Sequence, residues 1–181
     1  MKRIIIGLFF LLPFLMVAQG HKGNVAECAP MKDGKVCYRD TVQVHDMKQL
    51  EVFKLINAWA KKNYGKDVFM SNVNAYQSKG IVSLTSKVEL LLNDTDKTII
   101  KYKMQIFCHD NSYTAEVSKI SYQYDPNNEK KYKNYPAESI IANNGKGNTV
   151  AIVKDPKLFC NATFFFVEDL FDDLLSAVNK E

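Results

Sequence analysis

The stretch IIKYKMQIFCHDNSYTAEVSKISYQY (residues 99–124) decides the fold of this chain. Between Ile100 and Cys108 every second residue is apolar, and all but one of the intervening residues are polar. A period of two is typical of a strand with one buried face. The second half continues the alternation, but its parity slips between Val117 and Ile120, which indicates a β-bulge. The polar residues between the two halves predict a turn, so the stretch predicts an antiparallel strand pair.

An amphipathic helix is predicted ahead of this strand pair. The residues DMKQ (46–49) have the form of a capping box, and Gly65 is expected to end the helix. Five residues recur at helical spacing and form one apolar stripe: Leu50, Phe53, Ile56, Trp59 and Ala60. A stripe of this kind buries itself against a neighbouring layer.

The remaining elements are predicted as three strands and two helical segments. They cover residues 35–44, 67–77 and 81–92 (strands), 135–139 (the start of a short helix) and 163–179 (a final helix). Residues 125–134 have the composition of a charged loop. The order β-α-β-β-β-β-α-α, with about five strands joined by short turns, predicts a two-layer α+β domain in which two helices cover one face of an antiparallel sheet.

The amino terminus has the order of a secretory signal peptide. Basic residues at Lys2 and Arg3 precede an apolar run from Ile4 to Val17, and a small residue, Ala18, follows. The run is shorter than the roughly 20 apolar residues that a membrane span needs. We therefore expect a signal peptide over residues 1–18.

Cleavage after Ala18 would leave a flexible lead-in over residues 19–32 and a single domain over residues 33–181. The first cysteine, Cys28, lies well beyond the apolar run, so it does not fit a lipid-anchor site. We expect the mature protein to be secreted or periplasmic, with no membrane anchor.

The charge balance argues against a nucleic-acid partner. The formal net charge of +4 falls to +2 once Lys2 and Arg3 leave with the signal peptide. A nucleic-acid binder usually shows a clear basic excess. The apolar fraction of 46% is ordinary for a globular domain, so the fold needs no metal or cofactor to form a core, and we expect neither.

Four cysteines remain in the mature chain: Cys28, Cys37, Cys108 and Cys160. An even number in an oxidising compartment favours disulfides, and three pairings are open. Buried free thiols are the alternative, because a domain of this size does not depend on covalent bridges. No CxxC motif occurs, which argues against a zinc site or a redox motif.

Residues that resemble catalytic groups are better explained by structure. Cys108, His109 and Asp110 are the residue types of a thiol hydrolase, but neighbours on a strand point to opposite faces. The other histidines, His21 and His45, are scattered and lack a metal-binding spacing. The acidic residues of the final helix are expected to form a solvated face: Glu168, Asp169, Asp172 and Asp173.

Tyrosine and lysine interleave over residues 119–135, and this stretch is the best candidate for a binding surface. Tyrosine and lysine side chains together can bind sugars, nucleic acids or protein partners. The candidate residues, with one tyrosine from the preceding strand, are Tyr113, Tyr122, Tyr124, Lys130, Lys131, Tyr132 and Tyr135. The alternative is that the tyrosines are half-buried in the sheet and the lysines belong to a charged loop.

Taken in order, several segments resemble a family of small exported bacterial proteins classed as a domain of unknown function with a TATA-binding-protein-like fold. They are the signal peptide ending VAQ (17–19), DGKVCYRDTVQV (33–44), LINAWAKKNYG (55–65), the strand pair 99–124, YPAESII (135–141) and FVEDLFDDLLSAV (166–178). The resemblance implies a curved antiparallel sheet with helices on one side, and it implies no activity and no catalytic residues.

The implied topology bears on the cysteines. It places the first strand beside the fifth and the fifth beside the fourth, so Cys37 and Cys108 would lie about 20 Å or more apart. A disulfide needs Cα atoms within about 7 Å. The resemblance therefore disfavours a Cys37–Cys108 bridge and favours Cys28–Cys37 together with Cys108–Cys160.

Two functional hypotheses follow. The first is a non-enzymatic binding module of the bacterial cell envelope, which would engage a protein or glycan through the open sheet face or the tyrosine and lysine loop. The second is a hydrolase acting on envelope material, which requires His109 or His45 to lie within hydrogen-bond distance of a carboxylate or thiol. The absence of a catalytic motif favours the first.

Overall fold

The computed structural model describes residues 27–67, 69–127 and 133–179. The strands are β1 (Met31–Lys32), β2 (Lys35–Val36), β3 (Tyr38–Gln43), β4 (Ser71–Tyr76), β5 (Ile81–Leu91), β6 (Lys97–His109), β7 (Ser112–Tyr124) and β8 (Lys133–Pro136). The helices are α1 (Gln49–Tyr64), α2 (Glu138–Ile141) and α3 (Pro156–Val178). The predicted signal peptide (residues 1–18) lies outside the described residues.

The main sheet is antiparallel and has the order β3-β7-β6-β5-β4. Strand β8 pairs with the second half of β7, so β3 and β8 share the edge opposite β6. Helices α1 and α3 pack against one face of the sheet and against each other. The predicted two-layer α+β fold is confirmed, and so is the placement of the first long strand, β3, beside β7.

A bulge in β7 resets the alternation of its side chains, as the slip in the sequence predicted. Lys101 pairs with Ser121 and Lys103 pairs with Ser118, so two residues of β7 lie opposite Tyr102. The extra residue, Lys119, has a φ of 53° and is exposed. As a result, buried side chains occupy odd positions before the bulge and even positions after it.

Strand β8 was not predicted, because Lys133 and Asn134 belong to a segment with the composition of a charged loop. The strand forms through its pairing with β7, in which Tyr135 lies opposite Tyr122 and Pro136 opposite Ser121. Proline is tolerated here because β8 is an edge strand. The short helix begins only afterwards, as α2.

Helix α1 begins two residues later than the predicted capping box. Its N-cap is Lys48, whose backbone N–H donates to Glu51 Oε2 at 2.8 Å. The backbone N–H of Gln49 donates to Asp110 Oδ1 at 2.9 Å, so part of the cap comes from the turn between β6 and β7. Of the predicted apolar stripe, Leu50 is 43% exposed, and Val52 is buried in its place.

Helix α3 begins seven residues earlier than predicted. The Asp155 side chain accepts a hydrogen bond from the backbone N–H of Lys157 at 3.0 Å, and Pro156 occupies the first turn. Aspartate followed by proline is a common helix start. Nine of its residues are buried: Phe159, Cys160, Thr163, Phe164, Val167, Leu170, Phe171, Leu174 and Val178.

The structure joins Cys28 to Cys160 and leaves Cys37 and Cys108 as free thiols. The favoured pairing of Cys28 with Cys37 and of Cys108 with Cys160 is therefore wrong, whereas the disfavoured Cys37–Cys108 bridge is indeed absent. The reason is strand alternation: Cys37 lies between two buried residues and is itself half-buried, so it faces away from the core that holds Cys28.

The disulfide also fixes the end of the lead-in, which was predicted to be flexible through residue 32. Cys28 and Ala29 are buried, and the Tyr38 hydroxyl donates to the Cys28 carbonyl oxygen at 2.6 Å. The β1–β2 hairpin follows at once. Among the described helices, none combines the length and the apolarity that crossing a bilayer requires.

Candidate binding face

Among the described elements, no helix covers the second face of the sheet, which we call the open face. The side chains on this face follow from the strand alternation. Residues that pair across β5, β6 and β7 point to the same face of the sheet, and successive rows of pairs alternate between the two faces. Leu84, Met104 and Val117 form one such row, which is buried under the helices. The next row, Thr85, Lys103 and Ser118, therefore points to the opposite side. Because α1 and α3 both pack on the first side, this second side is the surface available to a partner.

A groove of about 610 Å³ crosses this face near β4. Its lining comes from the loop before β4 and from four strands: residues 69–72, 85–87, 101–103, Lys119 and Ser121. The loop is held to the sheet because the backbone N–H of Lys87 donates to the Met70 carbonyl oxygen at 2.9 Å. At the rim, the Phe69 ring is 87% exposed.

Four lysines line the groove, and we call them the lysine cluster: Lys87, Lys101, Lys103 and Lys119. Lys87 and Lys101 lie directly opposite each other in the β5–β6 register. Among the described residues, no member of the cluster makes an ion pair. The salt bridges found there involve Lys32 and Arg39 with Glu116, and Lys97 with Glu89. Within the described residues, the groove therefore concentrates positive charge that no salt bridge balances.

Part of the signal for the lysine cluster is visible in the sequence. Lys101 and Lys103 occupy alternate positions of β6, on the side of the strand where the residues are polar. Their proximity to Lys87 depends on the β5–β6 register, and that of Lys119 depends on the bulge. Neither the register nor the direction of the bulge residue follows from local sequence alone.

The predicted tyrosine surface is largely wrong, because Tyr113, Tyr122 and Tyr124 are buried under the helices. The bulge puts all three on the same face of β7. The Tyr124 hydroxyl donates to Asp96 Oδ2 at 2.8 Å, and Tyr122 lies 2.6 Å from Thr163 Oγ1. Burial raises the pKa of Tyr113 and of Tyr122, which keeps both phenols neutral.

The other candidate residues of that surface divide into two groups. Lys130, Lys131 and Tyr132 lie outside the described residues. Tyr135 is half-buried on β8. Tyr135 is not among the residues that line the groove, to which β7 contributes Lys119 and Ser121.

The cysteine, histidine and aspartate at residues 108–110 are not arranged as a catalytic group. Burial raises the pKa of Cys108 to about 12, so its thiol stays protonated and is a poor nucleophile. Asp110 caps α1. In the described part of the chain, neither His109 nor His45 makes a hydrogen bond to a carboxylate or thiol.

The acidic residues of α3 have a structural role at one position. Asp173 Oδ2 accepts hydrogen bonds from Trp59 Nε1 at 2.8 Å and from Asn63 Nδ2 at 3.3 Å, which ties α3 to α1. Asp169 and Asp172 are exposed, and Glu168 is half-buried. No cluster of three or more residues able to hold a metal ion occurs within the described ranges.

Comparisons with known proteins identify relatives of the same architecture. A family model described as a domain of unknown function (DUF4468) with TBP-like fold matches residues 38–123. A TBP-like protein from Parabacteroides distasonis is 67% identical, and the match covers 86% of this chain and 100% of that chain with a TM-score of 0.83.

A second solved structure, a DUF4468 family protein from Bacteroides ovatus, is 20% identical. The match covers 88% of this chain and 98% of that one, with a TM-score of 0.73, and shows the fold alone. No curated protein matches the chain.

Proposed function

Because this chain belongs to the DUF4468 family, a domain of unknown function with a TBP-like fold, we propose a role from its own surface. It is a non-catalytic module that acts outside the cytoplasm and binds a partner through the open face of its sheet. The observation that carries the proposal is the groove on that face, with its exposed Phe69 and its unpaired lysine cluster. A concave surface that combines apolar contact with a few convergent polar groups is typical of a binding site.

The proposed location has two supports. The chain begins with the order of a secretory signal peptide, and Cys28 and Cys160 form a disulfide. Disulfides of this kind persist in oxidising compartments and are rare in a reducing cytoplasm. The two features are independent, because one lies in the amino-terminal sequence and the other depends on the folded domain.

The proposed absence of catalysis is supported by the state of the two free thiols, since burial raises the pKa of both Cys37 and Cys108. Cys108 is buried and protonated, and its neighbours His109 and Asp110 do not bond to it in the described structure. An enzyme would need an activated nucleophile or a general base near a pocket. The groove instead holds lysines and neutral hydroxyl groups.

Crosslinking from two positions tests the binding face. A photo-crosslinking amino acid at Thr85 lies in the groove, and the same amino acid at Ala58 lies on the exposed side of α1. We expect cells expressing each variant to yield a specific adduct from position 85 and none from position 58. Equal adducts from both positions, or an adduct from position 58 alone, would rule out the open face as the binding surface.

Fractionation tests the location separately. We expect the protein in the envelope or the medium, with a mass that corresponds to cleavage after Ala18. The intact precursor in the cytoplasmic fraction would contradict export, while leaving the binding face to be judged by crosslinking.

A further inference from the structure

We propose that the groove binds an acidic polysaccharide, a linear sugar polymer that carries carboxylate or sulfate groups. The inference rests on the proposed function, since it takes the open face as the binding surface and adds the chemical class of the ligand. It is carried by the charges, the neutral lining and the surroundings of the groove.

Two lysines of the groove lie close enough to repel each other. Lys87 and Lys101 occupy directly opposed positions on neighbouring strands, where like charges destabilise a sheet. Both side chains are half-buried, so water screens their repulsion less than it would on a fully exposed surface. An anion bound between them would turn this repulsion into attraction.

The positive charge is spread across three strands of the open face. Lys87 lies on β5, Lys101 and Lys103 lie on β6, and Lys119 lies on β7. Adjacent strands are about 4.8 Å apart, so these positions span three strands and form an extended row rather than a single point. A row of cations is suited to a polymer with repeated anionic groups.

The bulge in β7 places Lys119 in the groove. Its φ of 53° is uncommon for a residue with a side chain. Backbone of this kind is retained where the surrounding structure or the function requires it, and bulges often redirect a side chain at a functional site. Here the redirected side chain adds the fourth positive charge.

The neutral groups in the groove favour a sugar polymer over other polyanions. Between the lysines the groove presents the Asn72 amide and the Thr85 hydroxyl, which can donate hydrogen bonds to sugar hydroxyls and accept them. The Ser121 hydroxyl donates to Asn134 Oδ1 at 3.2 Å and can still accept a hydrogen bond from a sugar. The exposed Phe69 ring at the rim offers an apolar surface for the face of a sugar ring.

The surroundings of the groove disfavour a long phosphate backbone or a membrane surface. On the same face, Glu116 is paired with Lys32 and Arg39, and Glu89 is paired with Lys97. Outside the groove, the positive charge of the described residues on this face is therefore interrupted by carboxylates. Nucleic acids and anionic membranes generally bind broader basic surfaces.

Titration of the purified mature protein with defined polymers tests the proposal. The probes are polygalacturonate and dextran sulfate, with neutral dextran as the uncharged comparison. We expect both acidic polymers to bind, neutral dextran not to bind, and the affinity to fall as salt is added. Phe69→Ala should weaken binding about threefold or more, because an aromatic contact is lost.

Paired lysine variants identify the site. Lys101→Gln with Lys103→Gln should weaken binding about tenfold or more, because two charge-assisted contacts are removed. Lys54→Gln with Lys61→Gln removes two charges from the exposed side of α1 and should change the affinity less than about twofold. Thermal melting of both double variants shows that each is folded before the affinities are compared.

Three outcomes would overturn the ligand class. Equal weakening by both double variants would mean non-specific attraction to net charge. Tighter binding of single-stranded DNA or of phosphatidylglycerol vesicles than of either acidic polysaccharide would identify a phosphate ligand instead. Absence of binding to every polyanion, with crosslinking from position 85 still observed, would reject an anionic ligand and leave the proposed function standing.

Discussion

Two of the three tyrosines on the buried face of β7, Tyr113 and Tyr122, differ in whether the hydroxyl group has a hydrogen-bond partner. Thr163 has a single hydroxyl proton, which it donates to the Phe159 carbonyl oxygen at 2.7 Å, so Tyr122 must be the donor in its bond to Thr163. Tyr113 has a buried hydroxyl with no hydrogen-bond partner among the described residues. A buried polar group without a partner is destabilising, while a satisfied one is not.

The same substitution is therefore expected to have opposite effects at the two positions. Tyr122→Phe should lower the free energy of unfolding by about 1 kcal/mol, because a buried hydrogen bond is lost. Tyr113→Phe should leave the free energy of unfolding unchanged or raise it by about 1 kcal/mol, because a buried hydroxyl that lacks a partner is removed. Urea denaturation of both variants measures the difference, and a loss of stability in Tyr113→Phe would show that its hydroxyl has a partner.

At the scale of elements, the long hairpin and its bulge were predictable, and the edges of the fold were not. Apolar and polar residues alternate over residues 99–124, and this pattern indicates which side chains are buried. The strands β6 and β7 and the bulge could therefore be predicted from the sequence. Strand β8 exists because β7 offers it a pairing edge, and the start of α1 depends on Asp110 from a distant turn. Contacts between segments far apart in the chain leave no local pattern.

The candidate site divides in the same way. The alternation placed Lys101 and Lys103 on the solvent side of a strand, but the tyrosines that the sequence favoured as a surface proved to be core residues. Whether a tyrosine on a strand is buried depends on which face the helices cover. That choice is made by packing, not by the strand's own residues.

The bulge residue gives a prediction at this scale. Lys119→Gly should raise the free energy of unfolding by about 1 kcal/mol, because glycine adopts positive φ without steric cost. Lys119→Ala should change it by less than about 0.5 kcal/mol, since alanine keeps the positive φ and its strain, and the exposed lysine side chain makes no hydrogen bond or ion pair among the described residues. Urea denaturation measures both, and a destabilised glycine variant would show that the bulge is not strained.

The same two variants separate strain from ligand binding. Both lack the Lys119 charge, so both should bind acidic polysaccharides more weakly than the unaltered protein. A glycine variant that is more stable and yet binds less tightly would fit a residue kept for function at a cost in stability.

At the scale of the whole molecule, one covalent bridge spans nearly the full described chain. It links Cys28, before the first strand, to Cys160 in the last helix, a sequence separation of 132 residues. The helix layer is thereby joined to the lead-in, while the opposite face of the sheet stays open. Closing so long a loop restricts the unfolded chain strongly.

Removal of this bridge should be costly. Cys28→Ala with Cys160→Ala is expected to lower the free energy of unfolding by about 2–5 kcal/mol. Cys37→Ala, at a half-buried free thiol, is the control and should change it by less than about 1 kcal/mol. Thermal melting with and without a reducing agent measures the same effect, and an unchanged melting temperature on reduction would contradict the bridge.

The buried ionisable groups predict a loss of stability at alkaline pH. Burial raises the pKa of Cys108 to about 12 from an ordinary value of 9.0, and it also raises the pKa of five tyrosines: Tyr38, Tyr64, Tyr102, Tyr113 and Tyr122. Above about pH 9 the unfolded chain therefore releases protons that the folded protein retains. The free energy of unfolding should then fall as the pH rises.

Urea denaturation between about pH 7 and about pH 11 tests this dependence, which should be flat at first and then decline. A Cys108→Ala variant should show a shallower decline, because one of the contributing groups is absent. A free energy of unfolding that rises through this range would show that these side chains are not buried in the folded protein.

The bridge between Cys28 and Cys160 also bears on how the chain would mature if it is exported as we propose. If the chain crosses the membrane amino end first, Cys28 arrives early and waits until almost all of the chain has followed. During that interval Cys37 is its nearest sulfhydryl, and a mispaired intermediate between the two is the natural error. Correct maturation would then require an oxidoreductase that exchanges a Cys28–Cys37 disulfide for the Cys28–Cys160 disulfide. The exchange could be completed only after Cys160 has crossed the membrane.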